Sequence, residues 1–268
     1  DAMHCIKLVK EHKIRIPFQH RSRILDQLMK LNLPAAVTWD FYLEILGCGY
    51  PPNLYNFNIL MHKFCKEGKV EEAKLVFDEI RRWDLRPTVV SFNTLINGYC
   101  KLGNLEEGFR LKKVMEGSRS VPDVFTYSAL INGLCKESRL DDANQVFDEM
   151  CSKGLVPNDV IFTTLINGFC KNGMMGSAME IFEHMLMKGV KPDLFTYNTL
   201  IDGLCKSGNL VEARNLIDEM NMKGLKADKI TYTTLIDGCC KEGDLDVALE
   251  IRKRMTREGI ELDNVAYT

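Results

Sequence analysis

Apolar residues recur along the chain at the spacing of helix faces. One stripe is Tyr197, Leu200, Ile201 and Leu204, and another follows at Leu210, Ala213, Ile217 and Met220. Intervals of three, four and seven residues are typical of helices with one apolar face. A Lys-x-Gly step separates the stripes, and glycine and proline follow the second, so each helix has a defined end. The pattern therefore predicts a helical hairpin made of a helix A and a helix B.

The hairpin pattern recurs with a constant period. A cysteine near the end of helix A marks it, because Cys65, Cys100, Cys135, Cys170, Cys205 and Cys240 stand 35 residues apart. We place six full repeats at 54–88, 89–123, 124–158, 159–193, 194–228 and 229–263. Residues 19–53 form a degenerate repeat, 1–18 resemble the second half of another, and 264–268 begin a further repeat, which suggests a fragment. Since one hairpin cannot bury its own seam, stacked hairpins are expected, and the fold class is an all-α solenoid.

Helix A carries a second stripe of residues. Counted from the first residue of each repeat as place 1, the stripe occupies places 2, 5, 9 and 13. Place 2 is always apolar: Tyr55, Val90, Phe125, Val160, Phe195, Ile230 and, in the truncated repeat, Val265. Place 5 is always a short polar residue: Asn58, Asn93, Ser128, Thr163, Asn198 and Thr233. Place 13 is always lysine: Lys66, Lys101, Lys136, Lys171, Lys206 and Lys241. The last place, 35, is Thr88, Asp123, Asn158, Asp193, Asp228 and Asp263.

These side chains suit a linear polymer that offers one monomer to each repeat. An apolar side chain provides a platform on which a base stacks, a short polar residue reads a base edge, and a lysine neutralises a phosphate. Single-stranded nucleic acid is therefore the expected partner.

Each place also has a purely structural interpretation. Lysine at place 13 favours the helix dipole, the residue at place 35 is a candidate N-cap of the next helix A, and the place-2 residues could belong to the core. Place 5 could be an ordinary solvated position, although Asn, Ser and Thr are poor helix-interior residues. The combination of all four places favours the nucleic-acid interpretation.

The repeat resembles the pentatricopeptide repeat family, of the pure 35-residue class. Phe-Thr-Tyr-Asn-Thr-Leu-Ile-Asp-Gly-Leu-Cys-Lys at 195–206 and Gly-Val-Lys-Pro-Asp at 189–193 carry the resemblance, and repeats ending helix A in Gly-Leu-Cys-Lys look like the restorer-of-fertility-like branch. The resemblance implies a right-handed superhelix that binds RNA with one base per repeat. It also implies that places 5 and 35 select the base while place-2 residues of adjacent repeats sandwich it.

The resemblance implies a base for each full repeat. Asn58/Thr88 implies C or U, Asn93/Asp123 U, Ser128/Asn158 A, Thr163/Asp193 G, Asn198/Asp228 U and Thr233/Asp263 G. With RNA parallel to the chain, the expected core is 5′-(C/U)UAGUG-3′, and repeat 19–53 is assigned no base. Gly108 and Lys112 depart from the family pattern and leave the packing of helix B open in repeat 89–123.

Two other classes of protein, a protein-binding scaffold and an enzyme, require different sequence features. A protein-binding scaffold like the tetratricopeptide repeats has similar hairpins, but a period of 34 and no paired polar code. An enzyme is not expected, because a His-x-Glu element, a Cys-x-x-Cys pair, a Walker loop and a nucleophile elbow are lacking in the sequence. We therefore predict no catalytic residues, no metal ligands, no cofactor, no small-molecule substrate and no membrane partner, and leave further protein factors or self-association open.

Charge and cysteines bear on partner and compartment. The formal net charge of -2 gives no global basic field, but acidic pairs such as Glu71-Glu72 lie on helix B while the lysines recur on helix A. Six of the ten cysteines are one repeat position, which indicates a reducing compartment rather than a disulfide framework. The resemblance implies a plant organelle and favours mitochondria over chloroplasts.

Overall fold

The computed structural model describes residues 33–47, 49 and 51–260, which form helices joined by short turns and contain no strand. The first helix of the described residues, α1, is Ala35–Gly47. The helices A of the six repeats are α2 (Leu54–Lys66), α4 (Val89–Lys101), α6 (Val124–Lys136), α8 (Asp159–Lys171), α10 (Leu194–Lys206) and α12 (Lys229–Lys241). The helices B are α3 (Val70–Arg82), α5 (Leu105–Glu116), α7 (Leu140–Ser152), α9 (Met175–Met187), α11 (Leu210–Met222) and α13 (Leu245–Arg257).

The turn between helices A and B requires a left-handed backbone at one residue. Gly173 supplies it after α8 with a φ of 71°, which costs glycine little because it has no Cβ. In repeat 124–158 the same place holds Ser138, which adopts a φ of 57° despite its side chain. The turn geometry is therefore retained even where the glycine is missing.

The described residues form two compact parts, one that ends at Leu130 and one that begins at Ile131. Within the described residues of each part, a helix A packs on its own helix B and on the next helix A, and helix B also packs on the next helix A. Aromatic pairs mark the last of these contacts. The rings of Phe77 and Phe92 meet edge to face with centroids 5.2 Å apart, and those of Phe182 and Tyr197 do so at 5.5 Å. Each repeat thus completes the core of its neighbour.

Repeat 89–123 accommodates its two departures from the family pattern. Helix α5 forms, and Lys112 is buried along it. The Lys112 ammonium lies 3.6 Å from a Glu116 carboxylate oxygen and 5.1 Å from the centre of the Tyr127 ring. Gly108 lies against Cys100, whose sulfur would stand 3.0 Å from a Cβ built on the glycine. Lys112 therefore fills an apolar place with its stem while its charge keeps two favourable neighbours.

Candidate nucleic-acid interface

The apolar residues at place 2 face solvent. Tyr55, Val90, Phe125, Val160, Phe195 and Ile230 are exposed by 55–73%. Their neighbours at place 4 are instead almost fully buried, as Tyr197 and Tyr232 illustrate. The interpretation of place 2 as core is therefore wrong, and the second stripe carries an exposed apolar or aromatic side chain in every full repeat.

The lysines at place 13 are all exposed, at the carboxyl ends of the helices A. Two of them have acidic partners one turn earlier on the same helix. Lys206 Nζ lies 2.6 Å from Asp202 Oδ2, and Lys241 Nζ lies 2.6 Å from Asp237 Oδ2. This ion pair raises the pKa of Lys241. The positive electrostatic field of the place-13 lysines is consequently weaker in the last two repeats. The sequence had predicted one lysine charge in every repeat.

The residues at place 35 cap the following helix A. Asp193 Oδ1 accepts a hydrogen bond of 2.8 Å from the Thr196 N–H, and Asn158 Oδ1 accepts one of 3.1 Å from the Ile161 N–H. Asp123 and Asp228 make the same contact with the third residue of the next helix. The N-cap interpretation is confirmed as a local role, and it leaves a carboxylate with further acceptor sites.

Capping does not account for all contacts of these residues, because places 5 and 35 also meet each other. The Asn93 amide donates to Asp123 Oδ1 at 2.9 Å, and its own oxygen accepts a hydrogen bond of 2.6 Å from Thr126 Oγ1. Thr126 Oγ1 in turn accepts from the Asp123 N–H at 3.1 Å. Three residues from two successive repeats thus form one closed hydrogen-bonded ring.

The same ring recurs in the part from Ile131 onward. The Asn198 amide donates to Asp228 Oδ1 at 3.4 Å, and the Asn198 oxygen accepts from Thr231 Oγ1 at 2.6 Å. Partial burial raises the pKa of Asp228, but hydrogen bonds from Thr231 and Asn198 outweigh that effect and hold the pKa below its ordinary value. Asp228 is therefore a carboxylate at neutral pH and acts only as an acceptor.

Two other registers show variants of the ring. Thr163 Oγ1 lies 2.9 Å from Thr196 Oγ1, and the Thr196 hydroxyl donates to Asp193 Oδ1 at 2.7 Å. In the first full repeat, Ser91 Oγ donates to Asn58 Oδ1 at 2.8 Å and accepts from the Thr88 N–H at 3.2 Å.

The role of the residues at place 3 was not recognised in the sequence. Ser91, Thr126, Thr196 and Thr231 are fully buried although they are polar. The sequence did hold a signal, because the residue after the exposed apolar place carries a hydroxyl in most repeats. Among the six full repeats, the exceptions are Asn56 and Ile161. Of the predicted site residues, Asp263 and Val265 lie outside the described residues.

The described residues contain no group of three or more His, Cys, Asp or Glu side chains arranged to hold a metal ion. No helix in that part of the chain is both long and apolar enough to cross a membrane. The described cysteines are free thiols, and burial raises the pKa of Cys100 to about 12.

Known proteins contain the same kind of repeat. Residues 52–101, 87–136, 122–160, 157–206, 193–241 and 230–268 match the PPR repeat family. A putative pentatricopeptide repeat-containing protein of Arabidopsis thaliana is 59% identical over 88 residues, which are 33% of this chain and 14% of that protein. Another Arabidopsis pentatricopeptide repeat-containing protein is 35% identical over 57 residues, 21% of this chain and 7% of the relative.

Solved structures share the fold. The pentatricopeptide repeat protein PPR10 in complex with an 18-nt psaJ RNA element superposes with a TM-score of 0.78 at 24% identity, covering 99% of this chain and 39% of that one. The PPR domain of Arabidopsis thaliana protein-only RNase P 1 in complex with tRNA gives a TM-score of 0.56 at 21% identity over 66% of this chain and 94% of that one. The predicted all-α repeat solenoid is confirmed, and the chain spans only part of the length of its curated relatives.

Proposed function

We propose that this chain, which belongs to the pentatricopeptide repeat family, binds single-stranded RNA in a sequence-specific manner, with one base for each full repeat. The observation that carries the proposal is the direct hydrogen bond between places 5 and 35, as between Asn93 and Asp123 at 2.9 Å. Two polar side chains that are 30 residues apart in sequence form one polar cluster next to an exposed apolar residue. That combination suits a base that stacks by its face and hydrogen-bonds by its edge.

The chemistry of the two Asn/Asp pairs and of the Thr163/Asp193 pair is consistent with the expected bases. A paired Asn and Asp offer both a donor and acceptors, which suits uracil, whose edge has an N3–H donor beside carbonyl acceptors. Thr163 and Asp193 offer acceptors to the N1–H and N2–H donors of guanine. We therefore propose the core 5′-(C/U)UAGUG-3′, with lysines at place 13 contacting the phosphates and place-2 side chains stacking on the bases.

Selection from a randomised RNA pool tests the proposal most directly. Enrichment of the six-base core, or of a sequence that matches it at most registers, would support it. Enrichment of unrelated sequences would contradict the base assignments, and recovery of a protein partner without any enriched RNA would favour the rival scaffold function. Affinity should fall with salt by roughly 0.7 log units per log unit of salt for each phosphate contact.

A single substitution tests the assignment of bases to repeats. Thr163→Asn creates the Asn/Asp pair found in repeat 194–228, so preference at the fourth base of the core should move from G to U. The other five positions should keep their preference. Thr164→Asn is a matched control, because the Thr164 hydroxyl bonds to the Val160 carbonyl of its own helix. A shift at every position, or at none, would contradict the code.

We propose a plant organelle, with mitochondria favoured over chloroplasts, as the place where this RNA is processed, stabilised or translated. Plant relatives of the same repeat family support the proposal. Sequencing of RNA cross-linked to the tagged full-length protein in fractionated organelles tests it. Cross-linked transcripts of nuclear origin alone would contradict it.

A further inference from the structure

We infer that a hydroxyl at place 3 of the following repeat, where the repeat has one, is a positioning residue, which sets the pattern of donors and acceptors that place 5 offers to a base. This inference rests on the proposed RNA binding and adds a residue to it. The hydroxyls concerned are Ser91, Thr126, Thr196 and Thr231, all fully buried and all within hydrogen-bond distance of a place-5 side chain.

In the Asn registers, the place-3 hydroxyl directs its proton to the place-5 oxygen. Thr126 Oγ1 accepts from the Asp123 N–H, and its single proton goes to the Asn93 oxygen at 2.6 Å, which is nearer than Asp123 Oδ1 at 3.0 Å. The Asp123 carboxylate accepts only, so it must face the amide nitrogen of Asn93. Hydroxyl and carboxylate together thus allow one orientation of the amide, with one N–H and one lone pair left for a base.

That orientation decides between the pyrimidines. Uracil presents an N3–H donor beside an O4 acceptor, whereas cytosine presents an N3 acceptor beside an N4–H donor. A flipped amide would exchange its donor and its acceptor. It would then match cytosine, to the same degree that the original orientation matches uracil. A fixed amide is consequently a condition for discrimination at the Asn93/Asp123 and Asn198/Asp228 registers.

In the Thr register, the place-3 hydroxyl decides which of the two threonines is the donor. The Thr196 hydroxyl donates its single proton to the Asp193 carboxylate oxygen at 2.7 Å, the nearer of its two acceptors. In the contact of 2.9 Å between the two threonines, Thr163 must then be the donor. Only the lone pairs of the Thr163 hydroxyl remain for a base. A site with acceptors alone favours guanine over adenine, which offers the acceptor N1 at the corresponding point.

Repeat 159–193 shows that the fold tolerates an apolar residue at place 3. Ile161 is fully buried there, and its N–H still donates to the N-cap Asn158. The hydroxyl is therefore not required for helix capping or for burial at this place. Replacement of Thr196 by an apolar residue removes the proposed positioning contact. The backbone N–H at position 196 can still donate to the N-cap Asp193 carboxylate.

The experiment measures the affinity of Thr196→Val for RNAs that carry G or A at the fourth base of the core. The ratio of the two affinities should fall about fivefold to tenfold, as expected for the loss of one oriented hydrogen bond. Discrimination at the other registers should be unchanged. Thr196→Ser retains the hydroxyl, as Ser91 does naturally, and should restore the ratio.

A matched control and a second register complete the design. Thr199→Val removes a hydroxyl from the same helix, but that hydroxyl bonds to the Phe195 carbonyl, so the ratio should stay at the wild-type value. Thr231→Val tests the Asn198/Asp228 register, where the preference for U over C should fall. This second variant gives the answer if Thr196→Val does not fold.

The outcomes separate the inference from the proposed function. If the wild-type protein shows no base preference at the fourth position, the proposed code fails and the positioning role fails with it. If the wild type discriminates and folded Thr196→Val discriminates equally well, the positioning role alone is overturned. A loss in Thr196→Val that Thr196→Ser does not restore would also overturn it, because the hydroxyl would not be the cause.

Discussion

Gly98 of helix α4 lies against Cys65 of helix α2 so closely that a Cβ built on the glycine would stand 2.7 Å from the thiol sulfur. The same contact recurs between Cys135 and Gly168, Cys170 and Gly203, and Cys205 and Gly238. Successive helices A therefore meet where a small thiol from one faces a residue without a side chain on the next. The repeated cysteine is a packing residue, which explains its constant place.

Substitution of this glycine should destabilise the fold. Gly98→Ala gains helix propensity of about 1 kcal/mol, but its methyl group has no room beside the Cys65 sulfur, and overpacking of a core costs roughly 1–3 kcal/mol. We expect a lower midpoint of chemical unfolding. The double variant with Cys65→Ala should recover stability, because the nearest remaining atom is then Val70 Cγ2 at 3.2 Å.

Gly176→Ala is the matched control for that prediction. Gly176 lies in helix α9 and has no atom within 4 Å of a built Cβ, so alanine should raise stability by at most about 1 kcal/mol. Destabilisation of both glycine variants to the same extent would show that the contact with the cysteine is not the cause.

Thiol reactivity should follow burial. Burial raises the pKa of Cys100, Cys135 and Cys205 to about 12, so these thiols remain protonated near the ordinary thiol pKa of 9.0. Cys240 is exposed and should be alkylated first among the described cysteines. Iodoacetamide labelling of the native protein, followed by fragment-ion mapping that resolves Cys239 from Cys240, measures the order. Prompt labelling of Cys100 in the folded protein would contradict the packing described above.

The same pKa shifts predict sensitivity to alkali. Above pH 9 an unfolded chain releases its thiol protons, while the buried thiols of the folded chain keep theirs until about pH 12. The unfolded state therefore binds fewer protons in this window, and the free energy of unfolding should fall as the pH rises. Chemical unfolding between pH 8 and 11 measures the effect, and replacement of Cys100 and Cys135 by alanine should reduce the slope.

The ion pair of Lys206 should lower RNA affinity. Asp202→Asn introduces the residue that Asn97 and Asn167 supply at the same place, and it frees the Lys206 ammonium from a partner at 2.6 Å. Because an exposed ion pair is worth roughly 0.2–1 kcal/mol, affinity should rise by about 1.4-fold to fivefold at low salt. Fluorescence anisotropy with the selected RNA measures the change.

Asp218→Asn controls for the altered total charge. Asp218 lies on helix α11 and pairs with Arg254 at 2.8 Å, away from the second stripe of helix A. Its replacement should leave affinity nearly unchanged. An equal rise in both variants would mean that total charge, and not release of Lys206, controls binding.

The turn at Ser138 offers a gain in stability. Its φ of 57° is a left-handed conformation that costs a residue with a side chain roughly 1–2 kcal/mol, partly offset by the freedom that glycine loses on folding. Ser138→Gly should therefore raise the midpoint of chemical unfolding. Gly173→Ser at the same place of the next repeat should lower it. Changes of the same sign in both variants would contradict the argument.

The repeats, the helices and the second stripe of helix A could be predicted from the sequence. The place-5 and place-35 pairs were also identified there, although their contact was not, since Asn93 and Asp123 are 30 residues apart. The glycine that packs against each repeated cysteine was not predicted, because the partner of Cys65, Gly98, belongs to the next repeat. Prediction succeeded for features that depend on spacing within one helix, although the pairing of Lys206 with Asp202 one turn earlier was overlooked.

The sequence by itself determined the period, the hairpin and the residue types of each place, because these depend on spacing within a few turns. Tertiary structure decided which apolar place is exposed and that a buried hydroxyl such as Thr126 joins Asn93 to Asp123. The physical reason is the stacking of successive hairpins. It brings side chains 33 residues apart within 2.6 Å of each other and turns separate places into one polar cluster.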